Sequence, residues 1–262
     1  MKKNLLLIAL AFSFAGANAQ DFAERTNKGR IFASFGLNRT AYDLSNLKMN
    51  GEGYDVELTH FDADDGYTDL DFSKFNGKLG YFITENLAIV LGYDNFSYQN
   101  IDKRLVKIGG SISDTTGGFV ADYETNQDVI RTSSDFMTYG YSNMSYINLN
   151  LEIHDDFWVS KNGKFAWSYY FGLGGGVVMT ESTVSLFGQD EVTTSNGMNG
   201  FGGNASFGTK FYMGPVFLDF GGKAGYISTS DVAMDADGGV ADHNFMFATG
   251  IASIGVAFNL SK

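Results

Sequence analysis

"YYFGLGGGVV" (residues 169–178) decides how the rest of the chain is read. Gly172, Gly174, Gly175 and Gly176 follow an aromatic run, which suits either a loop wrapped around phosphates or a strand that packs something against its own backbone. A G-x-G-x-x-G fingerprint starting at Gly172 needs glycine at 177, where Val177 stands, and no helical pattern or βαβ unit follows. Extended backwards, the stretch becomes "FAWSYYFGLGGGVV" (165–178), which alternates with period two. Phe165, Trp167, Tyr169, Phe171, Leu173 and Val177 share one face; Ala166, Ser168, Tyr170, Gly172, Gly174 and Gly176 share the other. That is a strand, apolar on one side and small or polar on the other.

The same alternation recurs along the chain. It is read at 30–38, 74–83, 86–94, 145–153, 201–212, 216–227 and 250–260, making about eight strands with the first, each close to the ~9–11 residues that cross a bilayer at a tilt. Short connections, "ITEN" (83–86), "HDDFWVSKNGK" (154–164) and "MGP" (213–215), alternate with long ones at 39–73, 97–136, 180–198 and 229–243. Short turns on one side and long loops on the other predict an all-β, antiparallel up-and-down transmembrane β-barrel. The non-apolar face carries Arg30, Lys78, Lys210 and Lys223 against Asp94, Glu152 and Asp219, a set able to neutralise itself inside a narrow lumen. The glycines of the opening stretch then face inward and make room for these long side chains.

Composition agrees. Among 262 residues there are 33 Gly, 24 Phe and 14 Tyr but a single Pro, the inventory of closely packed sheet. "MKKNLLLIALAFSFAGANAQ" joins two lysines, an apolar run and an Ala17-Asn18-Ala19 cleavage site, so residues 1–19 read as a secretory signal peptide and residues 20–262 as one barrel domain. The absence of cysteine excludes disulfides, thiolate zinc sites and cysteine nucleophiles. Beyond residue 20 no apolar run approaches the ~20 residues of a spanning helix, so any membrane crossing is made by strands.

The last strand, "SIGVAFNLSK", places Ser253, Gly255, Phe258 and Leu260 in a pattern that resembles the C-terminal signal outer-membrane barrels present to the barrel assembly machinery. Two longer stretches, "GLNRTAYDLSNLKMNGEGYDVELTHFDADD" (36–65) and "FNGKLGYFITENLAIVLGYDNFSY" (75–98), resemble a group of small porin-like outer-membrane β-barrel proteins of Bacteroidota-type Gram-negative bacteria. The resemblance implies fold and location in the cell outer membrane, with outer-membrane lipids and lipopolysaccharide as surroundings. It implies no activity. In place of a His-Met-Lys-Tyr-like run after Asp94, this chain has Asn95-Phe96-Ser97-Tyr98.

Without the leader's lysines the chain carries 16 basic and 30 acidic residues; 22 of the acidic ones lie in the four long connections, with 6 basic. Such loops stay solvated and repel like surfaces, or capture a cationic extracellular partner or divalent ions. Nucleic acid is not expected as a partner. In "FDADDGYTDLD" (61–71), Asp62, Asp64, Asp65 and Asp69 around Gly66 offer calcium-loving oxygens, although the spacing of an EF-hand is missing. His60, His154 and His243 are the three histidines, placed in the first long loop, at a periplasmic turn and at the extracellular rim. Asp242-His243 is similar to the pair of outer-membrane barrel proteases, and a histidine near Ser228 or Ser230 to barrel lipid A deacylases; both need a third group held in place. Phe157, Trp158, Phe165 and Trp167 are expected as the periplasmic aromatic girdle, Tyr139, Tyr141, Tyr226, Phe245 and Phe247 as the outer one. The sequence thus reads as a structural or surface-interaction barrel with a side-chain-filled lumen, without catalytic, cofactor or metal residues. The alternatives are a membrane-embedded hydrolase using His243 and a small selective pore.

Overall fold

Alternating side chains demand a sheet that is wet on one face and apolar on the other, and a closed ring is how such a sheet disposes of its edges. The computed structural model describes residues 26–43, 45–61, 63–64, 74–100, 105–113, 129–131, 137–186, 190–234 and 238–259. In chain order its strands are β1 (Arg30–Tyr42), β2 (Ser45–Gly51), β3 (Tyr54–Phe61), β4 (Ala63–Asp64), β5 (Phe75–Phe82), β6 (Leu87–Asn100) and β7 (Leu105–Ile112). They continue with β8 (Val129–Arg131), β9 (Met137–Val159), β10 (Phe165–Leu186), β11 (Val192–Met213), β12 (Val216–Ala233) and β13 (Val240–Asn259). Eight of them run β1-β5-β6-β9-β10-β11-β12-β13, and β13 pairs back onto β1 from Arg30↔Asn259 to Tyr42↔Phe247. The ring is closed and antiparallel throughout.

Its middle turns the predicted apolar face outward. Phe35, Leu79, Leu91, Leu149, Leu151, Phe171, Leu173, Phe207, Phe220 and Ile254 are exposed, while Arg30, Lys78, Asp94, Glu152, Lys210, Asp219 and Lys223 are buried. Gly172, Gly174 and Gly176 point in, as the alternation requires. A Cβ at Gly172 would lie 2.6 Å from Ser206 Oγ and 2.8 Å from Glu152 Cγ; one at Gly174 would collide with the Asn150 amide and the Leu149 carbonyl. Both glycines leave room for the polar side chains of β9.

The strands outrun the bilayer. β9, β10, β11 and β13 have 23, 22, 22 and 20 residues, about twice what a tilted crossing uses. The expected long loops are therefore largely strand: 180–198 is occupied by the ends of β10 and β11, and 229–243 by those of β12 and β13. The first two connections contribute β2, β3, β7 and β8, which add to β13 in the order β13-β2-β3-β7-β8 and form an extracellular sheet continuous with the barrel wall. The expected turn 154–164 is also too long, because β9 continues to Val159. The turn itself closes with Ser160 N donating to Phe165 O and Gly163 N to Ser160 O.

Candidate functional site

Two inward-facing clusters define what this molecule can do: the lumen at membrane depth and the interior of the extracellular head.

In the lumen, β5, β9, β10 and β12 bring Lys78, Glu152, Tyr170 and Asp219 together. Lys78 Nζ donates to Tyr170 Oη at 2.9 Å and to Asp219 Oδ2 at 3.4 Å, and lies 3.8 Å from Glu152 Oε1. Tyr170 Oη donates to Asp219 Oδ1 at 3.1 Å. Further out, Lys223 pairs with Asp94, and Asn148 joins them, donating to Asp94 Oδ2 at 2.8 Å and accepting from Lys223 at 3.2 Å. All these side chains are buried, so each charge depends on its neighbour for what water would otherwise supply. Lys210, fully buried, is the exception among the described residues: its ammonium has no hydrogen-bond partner and sits 3.8 Å over the Phe32 ring.

His154 belongs to this cluster and not to a turn. It continues the inward parity of β9, is buried, and bonds Glu152 Oε2 at 3.0 Å while stacking on Tyr170. Below it Phe32, Phe82, Ala88, Val90, Ala166, Tyr212, Phe217 and Ala257 pack into an apolar floor. Sequence reasoning did not pick out this floor, although parity from Ser34 or Asp219 puts Phe32 and Phe217 inside. At the periplasmic rim Glu85, in the "ITEN" turn, clasps the chain entering β1. Its carboxylate accepts from Thr26 Oγ1 and Asn27 N, each at 2.7 Å, and its carbonyl from Asn27 Nδ2 at 3.0 Å. The Thr26 and Asn27 bonds hold the Glu85 carboxyl below its ordinary pKa.

The head is built the other way round. Leu47, Met49, Val56, Leu58, Val106, Met137, Tyr139, Tyr141, Val184, Val232 and Phe245 are buried within it, while Asn46, Lys48, Asn50, Asp55, Glu57 and Lys107 face outward. Tyr139, Tyr141, Phe245 and Phe247, expected in the outer girdle, are consequently core residues; only Tyr226 of that group is exposed. The physical reason is parity: Phe245 and Phe247 share the inward side of β13 with Thr249 and Ser253.

His243 lies in this core, fully buried, with Nε2 3.0 Å from Ser45 Oγ and Nδ1 3.1 Å from Tyr141 Oη. Ser45 bonds Tyr98 Oη at 2.8 Å and Tyr141 bonds Thr229 at 2.9 Å, so the imidazole is one member of a hydroxyl network roofed by aromatic rings. Ser228 sits opposite Asn244 on the outward parity and Ser230 is exposed; neither meets His243. Asp242 faces outward too. Of the acidic motif, Asp62, Asp65, Gly66 and Asp69 lie outside the described residues; among the described residues no His, Asp or Glu cluster could hold a metal ion.

A closed antiparallel ring with lipid-compatible residues outside and charges inside defines a transmembrane β-barrel, the class built into the outer membranes of Gram-negative bacteria, and that is where this chain resides. Among solved structures the chain is similar to the outer membrane protein OprG from Pseudomonas aeruginosa, at 12% identity over 89% of this chain and 98% of that one, TM-score 0.43. It is also similar to outer membrane protein AlkL in lipid bilayers (13% identity, 94% and 97% covered, TM-score 0.43) and to Ail, the attachment invasion locus protein of Yersinia pestis (15%, 88% and 99%, TM-score 0.37). No family model and no curated protein matches the chain. At such identities no function transfers.

Proposed function

We propose that this protein is a non-catalytic, non-conducting barrel that carries a rigid β-structured head at the cell surface for contact with other molecules. The observation behind this reading is the double closure of the axis. An ion-paired lumen over an aromatic floor fills the membrane part, and the apolar core of the head fills the rest. Reconstituted in planar bilayers, the protein is expected to give no unitary conductance steps, and ion-selective steps would overturn the reading.

One observation favours a small selective pore as the second reading. Along the β1–β5–β13 wall, Ser34 Oγ, both amide atoms of Asn76 and Ser253 Oγ are buried without a protein partner among the described residues. Such atoms are satisfied by water, and a connected file of water would conduct. The hydrolase alternative has less behind it, since His243 shares its network with Ser45, and Ser45 is as buried as the histidine.

Several expectations complete the proposal. Residues 1–19, outside the described residues, direct export. β13 is handed to the assembly machinery. Lipid and lipopolysaccharide surround the exposed apolar belt, and the acidic exterior takes cationic partners or calcium. The stretches 36–65 and 75–98 support affiliation with the Bacteroidota-type barrels they resemble.

A further inference from the structure

A barrel strand normally has a neighbour on each side. Among the described residues, 192–199 of β11 have a strand on one side only. On one side they pair with β10, from Val192↔Val184 to Ser195↔Glu181, and then across a bulge to Met198↔Met179. On the other side the ladder to β12 begins only at Gly200↔Thr229. Beyond Thr229 the chain of β12 leaves β11 and continues solely with β13, through Val232↔Ala241 and Ala233↔Val240. Two side chains bridge the gap, and the first, Ser182 Oγ of β10, donates to Ala233 O at 3.2 Å. Asn196 Oδ1 accepts from Ala233 N at 2.9 Å, and Asn196 Nδ2 donates to Ser182 Oγ at 3.0 Å. Gly197, at φ 63°, marks the bulge that bends the β10–β11 ribbon away from β12.

Exposed strand edges invite pairing, and proteins ordinarily blunt them with lysine, proline or a cover. Here the edge reads Val-Thr-Thr-Ser-Asn-Gly-Met-Asn, without lysine or proline. Thr193, Ser195, Gly197 and Met198 are exposed. Its surroundings carry one sign of charge: Glu181, Asp190, Glu191 and Asp231 border it, and residues 179–200 and 228–233 contain no Lys or Arg.

We propose that residues 192–199 form a β-augmentation edge that takes an extended, positively charged peptide segment of another protein as an additional strand. Main-chain hydrogen bonds would supply sequence-tolerant affinity, and alternate basic side chains would select the partner through the bordering carboxylates. A segment of about eight residues spans the edge at ~3.3 Å per residue, and cations on it would lie one strand from Ser195 and two from Glu181, about 10 Å, near the Debye length. A second copy of this chain fits worse, because edge-to-edge pairing would bring the same carboxylates of both copies together. This inference names the partner class for the surface-contact reading and rests on it.

The test uses the full chain in nanodiscs and a fluorescent Lys-Val-Lys-Thr-Lys-Val-Lys-Thr peptide. Controls are the same peptide with Glu for Lys and one with Pro for both Val. The lysine peptide is expected to bind, to weaken with salt, and to slow amide exchange across residues 192–199; both controls should bind at least about tenfold more weakly. Thr193→Lys with Ser195→Lys should weaken binding about tenfold while heat-modifiable gel mobility stays that of wild type. Equal binding of the glutamate peptide, protection elsewhere than 192–199, absence of binding at millimolar peptide, or a crosslinked homodimer joined through β11 would each overturn the proposal. Should the double variant fail to fold, the exchange pattern of the wild-type protein still decides. None of these outcomes bears on closure of the axis, which conductance reports separately.

Discussion

Lys78 in the closed ring and Leu47 in the head are both buried on the inner side of their strands. What surrounds them is opposite. Around Lys78 the wall contributes Glu152, Asp219 and the Tyr170 hydroxyl, while its outer surface is Leu79, Leu151 and Phe171. Around Leu47 the interior is Met49, Val56 and Leu58, while the outer surface is Asn46, Lys48 and Glu57. The strands cross from one regime to the other through bulges, as in β10 between Val178 and Met179, and the β11–β12 ladder ends at the crossing. β13 runs from Asp242 and Asn244 outside and His243 and Phe245 inside to Ile254 and Phe258 outside and Ser253 inside. The lesson is that the solvent beyond the wall decides which side chains turn in. Hydrocarbon leaves the polar residues only the lumen, whereas water above the membrane drives apolar residues to the centre as in any soluble sheet.

This contrast predicts opposite sensitivities. Removing Glu152 leaves the buried Lys78 with Asp219 as its one neighbouring carboxylate among the described residues, and His154 without its carboxylate partner. Glu152→Ala should therefore lower barrel stability by ~3–5 kcal/mol. In the head the corresponding damage comes from losing apolar volume. Leu58→Ala should cost ~2–5 kcal/mol, felt locally, so that added protease cuts the head while the barrel keeps its heat-modifiable mobility. Denaturant titration of both variants in lipid, with surface proteolysis alongside, separates the two regions. A wild-type midpoint for Glu152→Ala would dissolve the distinction.

The next effect lies within one stretch of β10. Gly174 faces the Asn150 amide and the Leu149 carbonyl, whereas a Cβ at Gly175 would have the Gly202 carbonyl at 3.0 Å as its nearest neighbour. Gly174→Leu should overpack the lumen at ~1–3 kcal/mol and hinder closure. Gly175→Leu places leucine toward hydrocarbon and should fold nearly as well as wild type. Equal tolerance on heat-modifiable gels would mean that the two sides of the wall are not so different here.

The same contrast explains what could be read from the sequence. All eight ring strands were legible, because period-two alternation at membrane depth is reinforced by Gly-rich inward positions and by the few charges. Their parity also identified Lys78, Asp94, Glu152, Asp219 and Lys223 of the ion-paired lumen but not His154, which reads as a turn residue. The head was not legible as structure. Its segments, such as Leu47-Lys48-Met49, alternate too, but with the apolar side inward, and they lie among acidic residues that read as solvated loop. Tyr139, Tyr141, Phe245 and Phe247 cluster near the ends of the expected strands, which reads as an interfacial girdle, whereas the strands continue and bury them. His243 was legible as unusual, but its partner Ser45 is 198 residues away in sequence and is brought close only by the β13–β2 ladder.

The smallest expected effect is at the periplasmic end of the polar regime, where Glu85 holds the chain entering β1. Its folded pKa lies below the unfolded value, chiefly through the Thr26 hydroxyl and the Asn27 amide. The stabilisation is therefore fully present above the ordinary carboxyl pKa of 4.5 and is lost as pH falls through the lower folded value. Because Glu85 is exposed, solvent screens most of the benefit, and the global unfolding midpoint should barely move in Glu85→Gln. The local readout should be clearer: amide exchange at Asn27 and Lys28 should quicken in Glu85→Gln at neutral pH, and in the wild type should approach the variant's protection as the medium is acidified below 4.5. If the two proteins show the same protection at neutral pH, the clasp does not order the segment. The polar periplasmic rim would then be held by the β1–β5 ladder alone.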